Sequence, residues 1–246
     1  MSFSILLERE DVLVVDKPAG VPSVDHARGE PSELVAWLRE RFPEVCELGE
    51  GPRPAGQVHR LDTATSGVLL VARNAQTYAA LRAAFSQPGA VEKDYEALLW
   101  GGLPGALTLD WEIGMRGRRS PRVKVISAPG KAKGLRGIRP ALTRITPLVR
   151  SAAVTRARIC IETGVRHQIR AHAEAAGHAV VGDPLYGNLE GENPRELPEG
   201  CEERLYLHAR LLRVQGVAGV DDLQVECPAP ASFDRAYEVL AKLKPR

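Results

Sequence analysis

Apolar residues recur along this chain with two periods, and the switches between them mark out its elements. Residues 3–8 and 12–16 are short apolar runs split by the charged turn Glu8-Arg9-Glu10-Asp11, which reads as a pair of strands. Lys17-Pro18-Ala19-Gly20 breaks that sheet. Leu34, Trp37, Leu38 and Phe42 then return at helical spacing over 33–42, with Ser32 placed to cap the helix. After a Pro- and Gly-rich loop over 43–56, Val68-Leu69-Leu70-Val71-Ala72 is an unbroken apolar run of the kind that forms a buried strand. Asn74 is positioned to cap a helix reaching Gln87, with Tyr78, Leu81 and Phe85 inward and Pro88-Gly89 as its stop.

The second half continues in the same way. Residues 91–100 form a strand whose alternation puts Val91, Lys93, Tyr95, Ala97 and Leu99 on one face. The stretch 114–140 is rich in Gly and Pro and predicts loop or irregular hairpin. A strand over 155–163 leads through Gly164 into a helix over 167–176, stopped by Gly177. Gly182-Asp183-Pro184-Leu185-Tyr186-Gly187 is a turn, followed by an acidic loop over 188–204. Residues 205–214 and 217–225 predict a strand and its hairpin partner. A last helix, capped by Ser232, sets Phe233, Tyr237, Leu240 and Leu243 on its apolar side. There is no internal repeat and no long linker, so a single domain over 1–246 is expected.

Composition removes several classes. With 246 residues and 44% hydrophobic positions the chain can bury a sizeable core. No run approaches the roughly 18 apolar residues of a membrane helix. Cys46, Cys160, Cys201 and Cys227 are scattered without a CxxC pair, as expected of reduced thiols in a cytoplasmic protein.

The net charge of +2 hides an asymmetry. Residues 113–161 contain thirteen Lys and Arg and no Asp or Glu, which leaves 20 basic against 31 acidic residues in the rest. Such a basic stretch is the footprint of nucleic-acid binding, because phosphates are held by cations with counterion release. A solvated basic face is the alternative.

The candidate chemistry lies in His59-Arg60-Leu61-Asp62-Thr63-Ala64-Thr65-Ser66-Gly67, a polar loop that runs into the buried strand. Asp62 there either caps a turn, accepting an N–H from Ala64 or Thr65, or does chemistry. Tyr95 is either a core aromatic with a bonded hydroxyl or a site residue. Arg166, His167 and Arg170 crowd the positive end of a helix, which calls for an anionic partner, a carboxylate or a phosphate. His167, His172 and His178 lack the i, i+4 spacing of a helical zinc pair, so no metal is expected.

Four strings, in order, resemble the RluA-type RNA pseudouridine synthases. Asp16-Lys17-Pro18-Ala19-Gly20 is similar to the family's first motif, and His59 to Gly67 to its HRLD-x-x-TSG signature. Lys93-Asp94-Tyr95 matches its Lys-x-Tyr strand, and Thr163 to His172 its TGRTHQIRVH motif; the DPLYG turn and Leu207-His208-Ala209 follow. Val165 and Arg166 stand where the family usually has Arg-Thr, and Gln215 to Val220 replaces its His-Pro segment. The S4 RNA-binding domain of many members is not seen, which leaves more of the RNA holding to the basic stretch.

The resemblance implies an α+β fold, with a mixed, largely antiparallel central sheet flanked by helices. It implies isomerisation of uridine in ribosomal or transfer RNA by a cytoplasmic monomer without cofactor or metal. Asp62 would be the catalytic carboxylate, Tyr95 the ring stacked on the base, and Arg170 the cation that keeps Asp62 ionised. Arg60 would fill the RNA stack and Leu207 pack below the base. His59, Thr65, Lys93, His167 and Gln168 lie in the matched motifs and join them as substrate contacts. Arg116, Arg118, Arg119, Arg122 and Lys124 are the expected contacts to the RNA backbone. A catalytically silent RNA-binding protein on the same fold is the nearest rival, and an intact Asp62, Tyr95 and Arg170 argues against it. A glycoside hydrolase would need a second carboxylate in a strong motif, and there is none.

Overall fold

The computed structural model describes residues 3–25, 31–50, 53–117, 120–128, 130–187 and 196–244. In chain order the first strands are β1 (Ser4–Glu8), β2 (Val12–Lys17), β3 (Ser66–Ala72) and β4 (Val91–Trp100). Next come β5 (Leu107–Leu109), β6 (Glu112–Met115), β7 (Lys124–Ile126), β8 (Arg136–Arg139), β9 (Thr143–Arg150) and β10 (Val154–Ile161). The last are β11 (Leu207–Val214) and β12 (Leu223–Glu226). The helices are α1 (Glu33–Arg41), α2 (Ala75–Ser86), α3 (Gln168–Ala175) and α4 (Ser232–Leu240). This is an α+β fold of largely antiparallel strands, as the resemblance implies. Contacts divide it into two units, Met1–Lys93 with His208–Pro228, and Asp94–Leu207 with Ala229–Arg246.

In the first unit the strand order is β1-β2-β3-β11, with β12 beside β11. All of these pairs are antiparallel except β3 with β11, which run parallel through His208↔Ser66 and Ala209↔Gly67. Gly67 makes that approach possible. It sits at φ +112°, and a Cβ there would fall 2.2 Å from the carbonyl oxygen of Ala209. Only glycine accepts both conditions. Val12, Val14, Val68, Leu70, Leu81 and Val225 are among the residues of one apolar cluster between the sheet and α2. Asn74 caps α2 as expected, its Oδ1 accepting from the N–H of Thr77 at 2.8 Å.

In the second unit β4, β10, β9 and β5 lie in that order, and β7-β6-β8 make a separate three-stranded sheet. Leu98, Trp100, Val154, Val181, Tyr206, Phe233 and Leu240 share one apolar cluster, in which α4 takes part. A smaller cluster of Ile113, Val123, Ala141, Ala171 and Tyr186 lies under the three-stranded sheet.

Several expectations are corrected. The stretch 114–140, expected to be loop or irregular hairpin, supplies β7 and β8 and shares β6. The strands β5 and β9 carry no strong sequence signal. The loop over 43–56 contains a 3-10 turn at Pro43–Glu47. Ser32 makes no cap bond; its hydroxyl donates to the carbonyl of Pro22 at 2.6 Å. Ser232 is the first residue of α4 and not its cap, and Leu243 lies past the helix end and is exposed. The expected strand over 217–225 narrows to β12.

Candidate active site

The Asp62 loop is stapled to the first unit at nearly every residue except those that face outward. Before it, Gln57 bridges Val71, and Ala72 donates to the carbonyl of Gly56 at 2.8 Å. His59 continues that edge with its side chain, as Nε2 accepts the N–H of Leu70 at 2.9 Å. The imidazole stacks on Phe85, with centroids 4.7 Å apart and planes 7° from parallel. Accepting through Nε2 requires a neutral ring, and its burial, with the nearby Lys93 charge as a second cause, pushes the pKa down to about 3. Ser23 does for Leu61 what a neighbouring strand would. Its hydroxyl donates to the Leu61 carbonyl at 2.6 Å and accepts the Leu61 N–H at 2.9 Å.

The loop's far side is tied down as firmly. The Asp62 carbonyl closes the turn by accepting from the N–H of Thr65 at 3.0 Å. Lys17, fully buried, donates from Nζ to the carbonyls of Pro18, Val21 and Thr63 at 2.8, 2.7 and 3.2 Å. Ser66 Oγ meets His208 Nδ1 at 2.9 Å, and His208 Nε2 meets the Cys227 carbonyl at 2.9 Å. Leu61 and Thr65 are buried, Asp62 is half-buried, and Arg60 is exposed. Preorganised side chains of this kind are what a reacting carboxylate requires.

Two expected substrate contacts on this unit pack against Phe85. His59 is an anchor of the loop. Lys93 is buried, with Nζ 5.8 Å from the Phe85 ring centroid.

In the second unit Tyr95 is buried on β4, two positions along the strand face from Lys93, as the alternation predicts. The opposite face of β4 carries carboxylates. Asp94 Oδ2 accepts from Nε of Arg158 at 2.6 Å, and Glu96 Oε1 accepts from Nε of Arg156 at 2.6 Å. Arg156 also pairs with Asp234 on α4.

Arg170, on α3, is buried and held by a carboxylate. Its Nε and Nη2 donate to Asp183 Oδ2 and Oδ1, each at 2.7 Å. Asp183 Oδ1 also accepts the N–H groups of Leu185 and Tyr186 at 2.8 and 3.0 Å. The crowded positive helix end therefore has a carboxylate partner from the DPLYG turn. Tyr186 lies between two guanidiniums, with Arg122 4.7 Å and Arg170 5.2 Å from its ring centroid. Its hydroxyl accepts from Val123 N at 2.8 Å and meets His167 Nδ1 at 3.1 Å. His167 precedes α3 at φ +55°, a left-handed conformation.

Gln168, expected to contact substrate, has its amide fully occupied. Oε1 accepts from Thr163 Oγ1 and Val165 N at 2.8 and 3.1 Å, and Nε2 donates to Leu142 O and Thr143 Oγ1 at 2.9 and 3.0 Å. Leu207, the first residue of β11, is buried.

The basic stretch divides into two populations. Among the described residues, Arg122, Arg144, Arg156 and Arg158 are in salt bridges with Glu174, Glu162, Glu96 and Asp94. All four carboxylates lie outside 113–161. Arg116, Lys124, Lys131, Lys133, Arg136 and Arg139 are exposed, form no salt bridge among the described residues, and cluster on and around the β7-β6-β8 sheet; Arg150, also exposed, donates to the Leu103 carbonyl at 3.1 Å. Arg122, expected at the RNA backbone, is half-buried, lies over the Tyr186 ring and pairs with Glu174. Arg118 and Arg119, and residues 188–195 of the acidic loop, lie outside the described residues. Among the described residues no cluster of His, Cys, Asp and Glu has metal-binding geometry, and no helix is long and apolar enough to cross a membrane.

Sequence reasoning missed Asp183 as a partner of Arg170 and Ser23 as the clamp on Leu61. The DPLYG string was the available signal for the first; nothing local marked the second.

Comparison with known proteins adds to this geometry. The family described as RNA pseudouridylate synthase matches residues 11–175. Ribosomal large subunit pseudouridine synthase D of Pseudomonas aeruginosa is 33% identical over 246 residues, covering 95% of this chain and 70% of that protein. Ribosomal large subunit pseudouridine synthase C of Salmonella typhi is 32% identical over 238 residues, covering 96% and 69%. Human RNA pseudouridylate synthase domain containing 1 superposes with a TM-score of 0.70 at 27% identity, over 100% of this chain and 97% of that one.

Proposed function

The chain belongs to the RNA pseudouridylate synthase family, and on that premise we propose that it isomerises specific uridines of large-subunit ribosomal RNA to pseudouridine. The observation that carries the reading is the Asp62 loop. A carboxylate is presented from a segment locked by Lys17, Ser23 and His59, inside the region that matches the family.

The reaction breaks the bond between ribose C1′ and N1 of the base and forms one between C1′ and C5. C5 gives up a proton and N1 gains one, so atoms balance without an external oxidant or reductant. Asp62 serves either as nucleophile or as base at the ribose 2′ carbon. Flipping the uridine out of its stack costs a few kcal/mol. Stacking on Tyr95, about 1–3 kcal/mol per base, offsets much of that cost. Arg170, oriented by Asp183, supplies a fixed positive charge, and Arg60 and Leu207 complete the contacts to the base and its vacated place.

The RNA backbone is held by the exposed cations of the three-stranded sheet, Arg116, Lys124, Arg136 and Arg139, with Lys131 and Lys133 beside them. Phosphate contacts of this kind position an RNA without reading its sequence. The protein works as a monomer in the cytoplasm.

The test is to incubate wild type and Asp62→Asn with large-subunit ribosomal RNA and with transfer RNA, then map pseudouridine by carbodiimide labelling. New sites in ribosomal RNA with wild type alone support the reading. Sites in transfer RNA alone would replace the substrate. No new pseudouridine in either RNA would overturn the reading.

A further inference from the structure

The two residues at which this chain departs from its family's usual motif, Val165 and Arg166, both point their chemistry at the cationic sheet. Arg166 donates from Nη1 to the Ser120 carbonyl and from Nη2 to the Pro121 carbonyl, each at 3.1 Å. Val165 packs against the apolar cluster of Ile113, Val123 and Tyr186 under that sheet. Ser120 and Pro121 belong to the connection between β6 and β7, beyond the strand ladder. The same connection is fixed from the other side, where Val123 donates to Tyr186 and Arg122 pairs with Glu174 of α3.

We infer that Val165 and Arg166 are positioning residues that fasten the cationic sheet to the start of α3, and so set the register between the RNA backbone and Arg170. The planar fork of an arginine reaches two successive carbonyls, which a threonine at this position cannot do. Arg166 lies four residues before Arg170, and Arg170 is immobilised by Asp183. A sheet tied at Arg166 therefore holds its phosphate-binding cations at a set distance from that guanidinium. Arg166 acts through Ser120 and Pro121 and not on phosphate itself.

This rests on the proposed RNA-modifying function, and wild type in the same assays tests that separately. The variants are Arg166→Ala, which removes the fork, and Arg166→Gln, which loses the charge but keeps two N–H donors for carbonyls. RNA affinity is measured at three salt concentrations, turnover on ribosomal RNA by pseudouridine yield, and hydrogen exchange over residues 112–126. For Arg166→Ala the expected result is a three- to ten-fold higher KM, kcat within two-fold, faster exchange at Val123 and an unchanged salt slope. Arg166→Gln is expected to recover most of the KM. A direct phosphate contact would instead lower the slope of log affinity against log salt by about 0.7 in both variants. That result, or wild-type KM and exchange in Arg166→Ala, overturns the inference. Wild type that makes no pseudouridine would show that the functional reading has failed, whatever the variants do.

Discussion

Arg170 and Asp183 close a two-bond clamp in the second unit, both side chains buried and both carboxylate oxygens engaged at 2.7 Å. The clamp orders more than the arginine. Oδ1 of Asp183 also closes its own turn through Leu185 and Tyr186. The orientation of the guanidinium and the shape of the DPLYG turn are thus one structural decision.

Removing one side of such a pair strips two charge-assisted hydrogen bonds from a buried guanidinium. Asp183→Ala is expected to destabilise the protein by about 3–5 kcal/mol, read as a lower urea midpoint. Asp183→Asn keeps an acceptor and the turn bonds, so its loss should be smaller while kcat still falls. Equal stability of Asp183→Ala and wild type would show that the clamp contributes little.

His59 makes stability depend on pH in a stated direction. Its folded pKa, about 3, lies below the ordinary histidine value, so the native ring stays neutral where the unfolded one takes up a proton. The stabilisation is fully present above about pH 6.5 and is lost as pH falls toward 3. His59→Gln should be less stable at neutral pH and lose less on acidification than wild type. Parallel curves from denaturant melts at pH 7 and pH 5 would contradict this.

At the proposed chemical centre, Asp62→Asn keeps size and removes charge. Pseudouridine formation is expected to fall below detection while RNA affinity stays within two-fold. Tyr95→Phe retains the ring and should lose turnover but not binding. Tyr95→Ala should also forfeit about 1–3 kcal/mol of stacking, seen as a raised dissociation constant. Detectable turnover by Asp62→Asn would remove the assignment.

The two populations of arginines separate by experiment. Replacing Arg116, Lys124, Arg136 and Arg139 with Ala should lower the salt slope by about 0.7 per lost single-strand contact and leave the thermal midpoint near wild type. Replacing Arg156 and Arg158 should do the reverse. Their carboxylates, Glu96 and Asp94, are buried and would be left unpaired. A common fall in slope for both sets would mean that the salt bridges open on RNA binding.

The strong periodic elements were legible before the fold was known, β2, β3, β4, α2 and α3 among them. So was the identity of the Asp62 loop, because its motif is local. What the sequence hid were relations between distant residues. Arg156 and Arg158 look like RNA contacts in a run with no acidic residue, since Glu96 and Asp94 lie sixty or more positions away. The four hydrogen bonds of the Gln168 amide, three of them to residues 142–163, leave no local mark either. The stretch 114–140 suggests loop or irregular hairpin because Gly and Pro punctuate it, yet β7 and β8 both pair with β6, and Val125 of β7 packs against the cluster that holds Tyr186.

The three-stranded sheet shares its apolar cluster with Ala171 of α3 and with Tyr186, while all four residues of β8 are solvent-exposed. A substitution on β8 therefore meets solvent and not that cluster, so its charge can change at little cost to packing. Under the proposed function, the strength of the grip on the RNA backbone is then free to vary, one surface residue at a time.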